Sequence, residues 1–130
     1  DAYLLADALE GVVSQRLIRK VCRSCCEGYR PDEYDLSVFK LNFDIRRTWY
    51  KAIGCVKCNY TGYKGRTAIH EILNIDKSIR RLINSGALGQ QIYNYAIKQN
   101  FIPLKSQFIK SLDFGITTLE EALRFWQHIE

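Results

Sequence analysis

Four of the five cysteines in this sequence stand in two pairs of equal spacing, Cys22-x-x-Cys25 and Cys55-x-x-Cys58. A gap of two residues lets both thiolates of a pair face one ion from a tight turn, and two such turns complete a tetrahedral shell around zinc. Because four thiolates leave no position for a reactive water, the pattern predicts a structural zinc ion and not a hydrolytic one. Buried free cysteines and disulfides are the alternatives, but two matched pairs favour the metal and a reducing compartment, the cytoplasm.

The interval between the pairs and the fifth cysteine complicate this pattern. The pairs are separated by 29 residues, and since the usual interval in zinc ribbons is about 15 to 20 residues, we expect an insertion at residues 31–50. Cys26 directly follows Cys25, and because gaps of about two to four residues all occur between ligands, it is an alternative to Cys25. We favour Cys25. In that case Cys26 is a small buried hydrophobic residue, and its loss leaves the zinc content unchanged.

Other chemistry-bearing residues form weaker patterns. Four basic side chains flank the turns and are expected either to favour the thiolates or to be solvated surface charge: Lys20, Arg23, Lys57 and Arg66. His70-Glu71 begins like a zinc-protease signature, but Asn74 stands where that signature needs its second histidine. We therefore predict that His70 is an ordinary strand residue and that His128 is a solvent-facing helix residue. No Gly-x-x-x-x-Gly-Lys-Ser/Thr loop occurs, so these residues alone are not expected to hydrolyse a nucleotide.

The composition, 47% hydrophobic and 25% charged, is that of an average globular protein, and no apolar run approaches the ~20 residues of a membrane helix. The sequence starts at Asp1 and contains no methionine, so we expect a piece of a longer protein. The formal charge is +5, and aromatic residues interleave with basic ones: Trp49, Tyr50, Lys51, Tyr60, Tyr63 and Lys64. A free-standing zinc module that stacks on nucleic-acid bases is one interpretation. Packing of these rings around a small metal core is the interpretation we favour.

The strands that must position the cysteines can be predicted from local patterns. Residues 12–20, with two β-branched valines, suit a strand that leads into the first pair, and residues 46–53 suit one that leads into the second. Residues 67–73 are expected to return beside residues 12–20 in one sheet. Between the pairs, the polar segment that begins at Pro31 suits a short helix or turns. The glycines after the second strand indicate tight turns with positive φ angles: Gly54, Gly62 and Gly65.

Helices are predicted at the start of the chain, over residues 2–9, and throughout its last part. Asp76 is expected to cap a helix that Gly86 ends, and Thr118 with Glu121 to form a capping box for the final helix. Apolar residues at helical spacing are predicted to form four apolar stripes, of which the last is expected to face inward: Ile79, Leu82 and Ile83; Leu88, Ile92, Tyr95 and Ala96; Leu104, Phe108 and Leu112; Leu119, Ala122, Leu123 and Trp126. Strands followed by helices predict an α+β fold.

Four segments in this order resemble the C-terminal part of the type II secretion and type IV pilus assembly ATPases. They are GVVSQRLIRKVC at residues 11–22, GCVKC at 54–58, TGYKGRTAIHE at 61–71 and GITTLEEALR at 115–124. The resemblance spans nearly the whole chain. Its departures are Arg23 in place of a common proline, Ala68 in place of a frequent glycine, and the additional Cys26; none of them removes a ligand.

The resemblance implies a division of the chain into three parts. Residues 1–20 are the end of a RecA-like ATPase core, residues 21–66 a tetracysteine zinc-binding subdomain, and residues 67–130 a strand followed by a C-terminal helical subdomain. Four residues match the family pattern and are expected to tie the zinc subdomain to the core: Gln15, Arg16, Arg66 and Glu71.

The resemblance also implies a function. The chain is expected to be a structural and interaction module of a hexameric motor for type II secretion or type IV pilus assembly, cytoplasmic and peripheral to the inner membrane. Its partners are the neighbouring subunits of the homo-hexamer and the inner-membrane platform protein, with no nucleic acid expected. ATP and Mg²⁺ belong to parts of the longer chain outside this sequence. Retraction motors of the same superfamily generally lack the cysteines, which favours assembly or secretion.

Overall fold

The computed structural model describes residues 1–126, and these residues form an α+β fold, as predicted. The described helices are α1 (Ala2–Ala8), α2 (Glu33–Val38), α3 (Lys77–Asn84), α4 (Gly89–Lys98), α5 (Leu104–Asp113) and α6 (Leu119–Trp126). The described strands are β1 (Gly11–Val21), β2 (Glu27–Tyr29), β3 (Trp49–Lys51) and β4 (Tyr63–Asn74). None of the described helices has the length and apolar character needed to cross a bilayer.

Two small sheets carry the strands. β1 pairs with β4, which confirms the predicted return of residues 67–73 beside residues 12–20. β2 and β3 pair antiparallel, with Tyr29 opposite Trp49 and Glu27 opposite Lys51. Opposite charges at directly facing positions stabilise such a pair. The strand predicted at residues 46–53 is therefore present but shorter, because only Trp49–Lys51 finds a partner strand.

The chain divides into two compact units, and the first consists of Asp1–Gln15 and His70–Leu104. Asp76 caps α3 as predicted, since its carboxylate accepts a hydrogen bond from the Ile79 amide at 2.8 Å. The Arg80 guanidinium donates to the Ala6 carbonyl at the end of α1 and to Glu10 Oε1 at 3.0 Å. It thereby satisfies a carbonyl that the end of a helix leaves without an intrahelical partner.

The second unit consists of Arg16–Ile69 and Lys105–Glu130. Its core contains four large aromatic side chains, Phe39, Trp49, Phe108 and Trp126, which are all buried. Phe39 follows α2, which begins with a capping box between Asp32 and Asp35. The segment between the cysteine pairs therefore has its own helix and contributes its own side chains to the core.

Three expectations about individual side chains were wrong. Leu123 is 42% exposed on α6 and Leu88 is 72% exposed just before α4, although helical spacing placed both in an apolar face. Thr118 caps α6 by accepting from the Glu121 amide at 3.1 Å, but the Glu121 carboxylate bonds Arg19 and so does not complete a capping box. His70 lies exposed on β4 as expected, and His128 lies outside the described residues.

Candidate metal centre

Two tight turns, one from each cysteine pair, meet at the ends of the longer strands. β1 ends at Val21 and leads directly into Cys22, and the Cys26 amide donates to the Cys22 carbonyl at 3.0 Å to close the first turn. The second turn is a short 3-10 helix, Val56–Cys58, in which the Cys58 amide donates to the Cys55 carbonyl at 3.2 Å. Each turn therefore presents its two sulfur atoms on the same side.

The sulfur atoms of Cys22, Cys25, Cys55 and Cys58 form a compact group in which all four lie within 4.8 Å of one another. Three of the six sulfur–sulfur edges are 3.8 Å for Cys22–Cys55 and 3.9 Å for both Cys25–Cys58 and Cys55–Cys58. A regular tetrahedron with Zn–S bonds of about 2.3 Å has edges of about 3.8 Å. The donor set thus fits zinc in both chemistry and size. None of the five cysteines forms a disulfide.

Cys26 does not belong to this group. Its sulfur lies 4.0 Å from the Arg23 carbonyl oxygen, and its side chain is half-buried. The geometry thus brings together Cys25, and not Cys26, with the other three thiols, although the sequence spacing allowed either.

Backbone amides around the turns donate to two of the sulfur atoms. The Gly54 amide donates to Cys25 Sγ at 3.3 Å, and the Cys55 and Gly62 amides each donate to Cys58 Sγ at 3.2 Å. Gly62 has a φ of +82°, and an added Cβ there would lie 2.6 Å from the Ala52 Cβ. The sequence indicated turn glycines at these positions, but only the structure shows that two of their amides point at sulfur.

These hydrogen bonds and burial set the acidity of the thiols in opposite directions. The Ser24 amide is the main cause that lowers the pKa of Cys22. Burial is the largest influence on Cys58 and raises its pKa, but the Cys55 and Gly62 amides and the neighbouring thiols outweigh it and bring the pKa down to about 6. Burial raises the pKa of Cys25 to about 12. The cluster therefore combines thiols that ionise readily with one that holds its proton, and a divalent cation would replace that proton.

The basic side chains predicted to favour the thiolates are not among the main causes of these shifts, which come from burial, backbone amides and neighbouring thiols. The partial positive charge that favours the thiolates therefore comes from backbone N–H groups. Sequence reasoning missed this source because every residue but proline carries it.

The interleaved aromatic residues lie mostly against protein. Trp49 is buried and its indole N–H donates to Asp113 at 2.8 Å. Tyr63 shares a 2.7 Å hydrogen bond with Thr118, and its ring lies 4.0 Å from the Arg19 guanidinium carbon. Tyr60 is an exposed exception. For Trp49 and Tyr63, packing therefore describes the arrangement better than stacking on bases.

The four residues expected to tie the zinc subdomain to the core lie on the paired strands. Gln15 and Arg16 are in β1, and Arg66 and Glu71 are in β4, where Arg66 is exposed. The Glu71 carboxylate accepts from the Leu104 amide at 2.6 Å, at the first residue of α5. Their role as ties to a core stays a prediction.

Known proteins are similar in sequence to this chain over nearly its whole length. The sequence model of the family described as "Type II/IV secretion system protein" matches residues 1–124. The type II secretion system ATPase E of Vibrio cholerae is 36% identical over 124 residues, which are 95% of this chain and 24% of that protein. The type IV pilus assembly ATPase PilB of Thermus thermophilus is 39% identical over 125 residues, 95% of this chain and 14% of that protein. The chain therefore spans a quarter or less of the length of these relatives, and it belongs to the type II/IV secretion system protein family.

Proposed function

We propose that this chain is a structural and interaction module of a hexameric cytoplasmic ATPase that powers type II secretion or type IV pilus assembly. Its structural zinc ion is held by Cys22, Cys25, Cys55 and Cys58. The observation that carries the proposal is the group of four sulfur atoms, which all lie within 4.8 Å of one another and have three edges of 3.8–3.9 Å. The names of the relatives, secretion and pilus assembly ATPases, support the assignment to that machinery.

Zinc has a physical task in this module. Between the cysteine pairs the regular structure is limited to two three-residue strands and the six-residue helix α2. Elements this short are only marginally stable by themselves, and a metal that joins the two cysteine turns adds folding free energy. The ion has four thiolate ligands and thus no open position, so its role is to hold the two turns together.

The wider assignment follows the family. Residues 1–20 are proposed as the end of a RecA-like core, 21–66 as the tetracysteine subdomain and 67–130 as a strand and the C-terminal helical subdomain. ATP and Mg²⁺ are proposed to bind elsewhere in the longer chain, since no phosphate-binding loop occurs in this sequence. The proposed partners are neighbouring subunits of a homo-hexamer and an inner-membrane platform protein, which places the module at the cytoplasmic side of the inner membrane.

Metal analysis of the purified chain tests the zinc assignment. Under reducing conditions we expect about one zinc per chain, and cobalt substitution should give the absorption spectrum of a tetrahedral thiolate site. Cys25→Ser should lower the zinc content, whereas the adjacent Cys26→Ser is the matched control and should not. Material that is metal-free in reducing buffer, yet still folded after exhaustive chelation, would contradict the proposal.

Two further measurements test the remaining parts. The chain alone is expected to show no ATPase activity, and a chain that includes the remainder of the protein is expected to hydrolyse ATP. The rival function, a zinc module that binds nucleic acid, rests on the +5 charge and the aromatic residues. A salt-dependent mobility shift with short DNA or RNA at micromolar protein concentration would favour the rival.

A further inference from the structure

One buried carboxylate joins the C-terminal helix of the second unit to the strand that carries Cys22. Glu121 is only 1% exposed, and its Oε2 accepts a hydrogen bond from Arg19 Nε at 2.7 Å. Its Oε1 lies 3.3 Å from the backbone nitrogen of Arg19, and Arg124 lies 3.3 Å from Oε2. A buried carboxylate is stable only with such charged partners, and loss of one partner leaves an uncompensated charge. Glu121 therefore fixes α6 on β1.

A second branch joins the same helix to β4. Thr118 Oγ1, which caps α6, lies 2.7 Å from the Tyr63 hydroxyl oxygen. The Tyr63 ring also faces the Arg19 guanidinium at 4.0 Å, within cation–π distance. Arg19, Tyr63, Thr118 and Glu121 thus form one connected set, which we call the Glu121 network.

The strand residues of the Glu121 network adjoin the two cysteine turns. Arg19 lies three residues before Cys22, and Tyr63 directly follows Gly62. The Cys22 amide donates to the Gly62 carbonyl at 2.9 Å, and the Gly62 amide donates to Cys58 Sγ at 3.2 Å. A displacement of either strand end therefore changes the distance between the first cysteine turn and the second.

The segment before α6 reinforces this arrangement. The Val21 amide donates to the Ile116 carbonyl at 2.9 Å, and the Thr117 hydroxyl donates to the Arg19 carbonyl at 2.8 Å. Thr117 is fully buried. Hydrogen bonds from this segment thus hold β1 on both sides of Lys20, up to the residue before the first ligand.

We propose that Glu121 is a positioning residue for the metal centre: through Arg19, and through Thr118 and Tyr63, it holds both strand ends so that the two cysteine turns face one ion. The inference rests on the proposed zinc site and adds a residue that is neither a ligand nor near one in sequence. Because such coupling is reciprocal, metal binding also stabilises the packing of α6.

The test is the metal affinity of Glu121→Gln in the full chain, measured by zinc competition with a chromophoric chelator and by the cobalt spectrum. Loss of a residue that orients metal ligands typically lowers metal affinity about 10- to 100-fold, so we expect a loss of at least about tenfold and an altered cobalt spectrum. The matched control is Glu120→Gln, which removes the same charge from the adjacent, exposed position of α6. Its affinity should equal that of the unmodified chain.

General destabilisation must be separated from positioning. Leu112→Ala removes a fully buried side chain of α5 that is outside the Glu121 network. This substitution should lower the melting temperature without changing the zinc affinity of the folded chain.

Tyr63→Phe is the second test if Glu121→Gln does not fold, because it removes only the hydroxyl that contacts Thr118. We expect it to weaken zinc binding roughly threefold to tenfold, the effect of one lost hydrogen bond.

The reciprocal effect gives an independent readout. In the metal-free chain, amide hydrogen exchange should accelerate in α6 and not in α3, which belongs to the other compact unit. The inference would be overturned, with the zinc site left intact, if the zinc affinity of Glu121→Gln were within twofold of that of the unmodified chain. If Tyr63→Phe is the variant that folds, the same limit applies to its zinc affinity. An unmodified chain that binds no zinc would instead overturn the proposed function.

Discussion

Replacing Phe39 with alanine will remove the ring that packs against both tryptophans of the chain. Phe39 is 2% exposed, and its ring centroid lies 4.4 Å from that of Trp126 and 5.9 Å from that of Trp49, edge-on in both cases. Trp126 belongs to α6 and Trp49 to β3, so the ring joins the insertion between the cysteine pairs to the C-terminal helix. The substitution therefore tests whether the insertion shares a core with that helix.

The expected loss is large because the cavity cannot collapse easily. Removal of a buried phenylalanine ring typically lowers the free energy of unfolding by about 3–5 kcal/mol. Each edge-on aromatic pair contributes about 0.5–1.5 kcal/mol beyond its buried area, and the two tryptophan rings are too rigid to fill the space. We expect Phe39→Ala to lower the free energy of unfolding by about 4 kcal/mol, out of about 5–15 kcal/mol for a typical domain.

Urea unfolding followed by far-ultraviolet circular dichroism measures this loss, since tryptophan fluorescence would itself change with the substitution. Free zinc must be held constant, because a ligand that binds the folded state shifts its stability. Phe43→Ala is the matched control: the same change in the same insertion, at a ring that is 59% exposed, should alter stability by no more than about 0.5 kcal/mol. Equal losses in the two variants, or a loss below about 1 kcal/mol for Phe39→Ala, would refute the reasoning.

Three other substitutions test separate features. Gly62→Ala should lower both stability and zinc content, because its Cβ would lie 2.6 Å from that of Ala52. Asp113→Ala should lower the free energy of unfolding by about 1–3 kcal/mol, since the buried indole N–H of Trp49 loses its acceptor. Asp76→Asn should remove an acid-sensitive part of the stability. The Ile79 amide, then the Tyr95 hydroxyl, lower the pKa of Asp76 in the folded state. The stability that the Asp76 carboxylate contributes is therefore present above the unfolded pKa of about 3.9 and is lost as the pH falls through the lower folded pKa.

Each of these has its own control and measurement. Gly65→Ala is the control for Gly62→Ala, since Gly65 has a φ of +78° and the nearest atom to an added Cβ is 3.9 Å away. It should lower the free energy of unfolding only by the ~1–2 kcal/mol that a left-handed backbone costs a residue with a Cβ, and the chain should retain its zinc. Asp44→Ala is the control for Asp113→Ala. It breaks the exposed ion pair between Asp44 and Arg46 within one loop and should leave the unfolding midpoint unchanged. For Asp76→Asn, the difference in midpoint from the unmodified chain is followed between pH 6 and about pH 3. A difference that does not shrink as the pH falls would contradict the assignment.

The sequence identified the features that depend on neighbouring residues. The Cys-x-x-Cys spacing marked the two cysteine turns, Asp76 marked the start of α3, and the β-branched start of β1 marked a strand. Such signals succeed because turns, caps and strand patterns arise from contacts within a few residues. The pairing of β1 with β4 was predicted as well.

The failures concern side chains whose surroundings come from distant parts of the chain. Helical spacing placed Leu123 and Leu88 in apolar stripes, but spacing shows only which residues share a face and not whether another element covers it. Glu121 fitted a capping box, yet its carboxylate bonds Arg19, 102 residues away. A capping pattern contains no information about a cation that the tertiary fold brings to the same place.

The sequence by itself determined that this chain carries two cysteine turns able to hold one ion, because a thiol pair at fixed spacing constrains its own geometry. Only the tertiary structure decided that Cys25 and not Cys26 joins the cluster, that the Gly54 and Gly62 amides point at sulfur, and that α6 fixes the strand ends behind both turns. Apart from the bond between Gly62 and Cys58, which spans 4 positions, the hydrogen bonds that decide this join residues 29 to 102 positions apart. Their formation depends on the packing of whole elements, which no local pattern specifies.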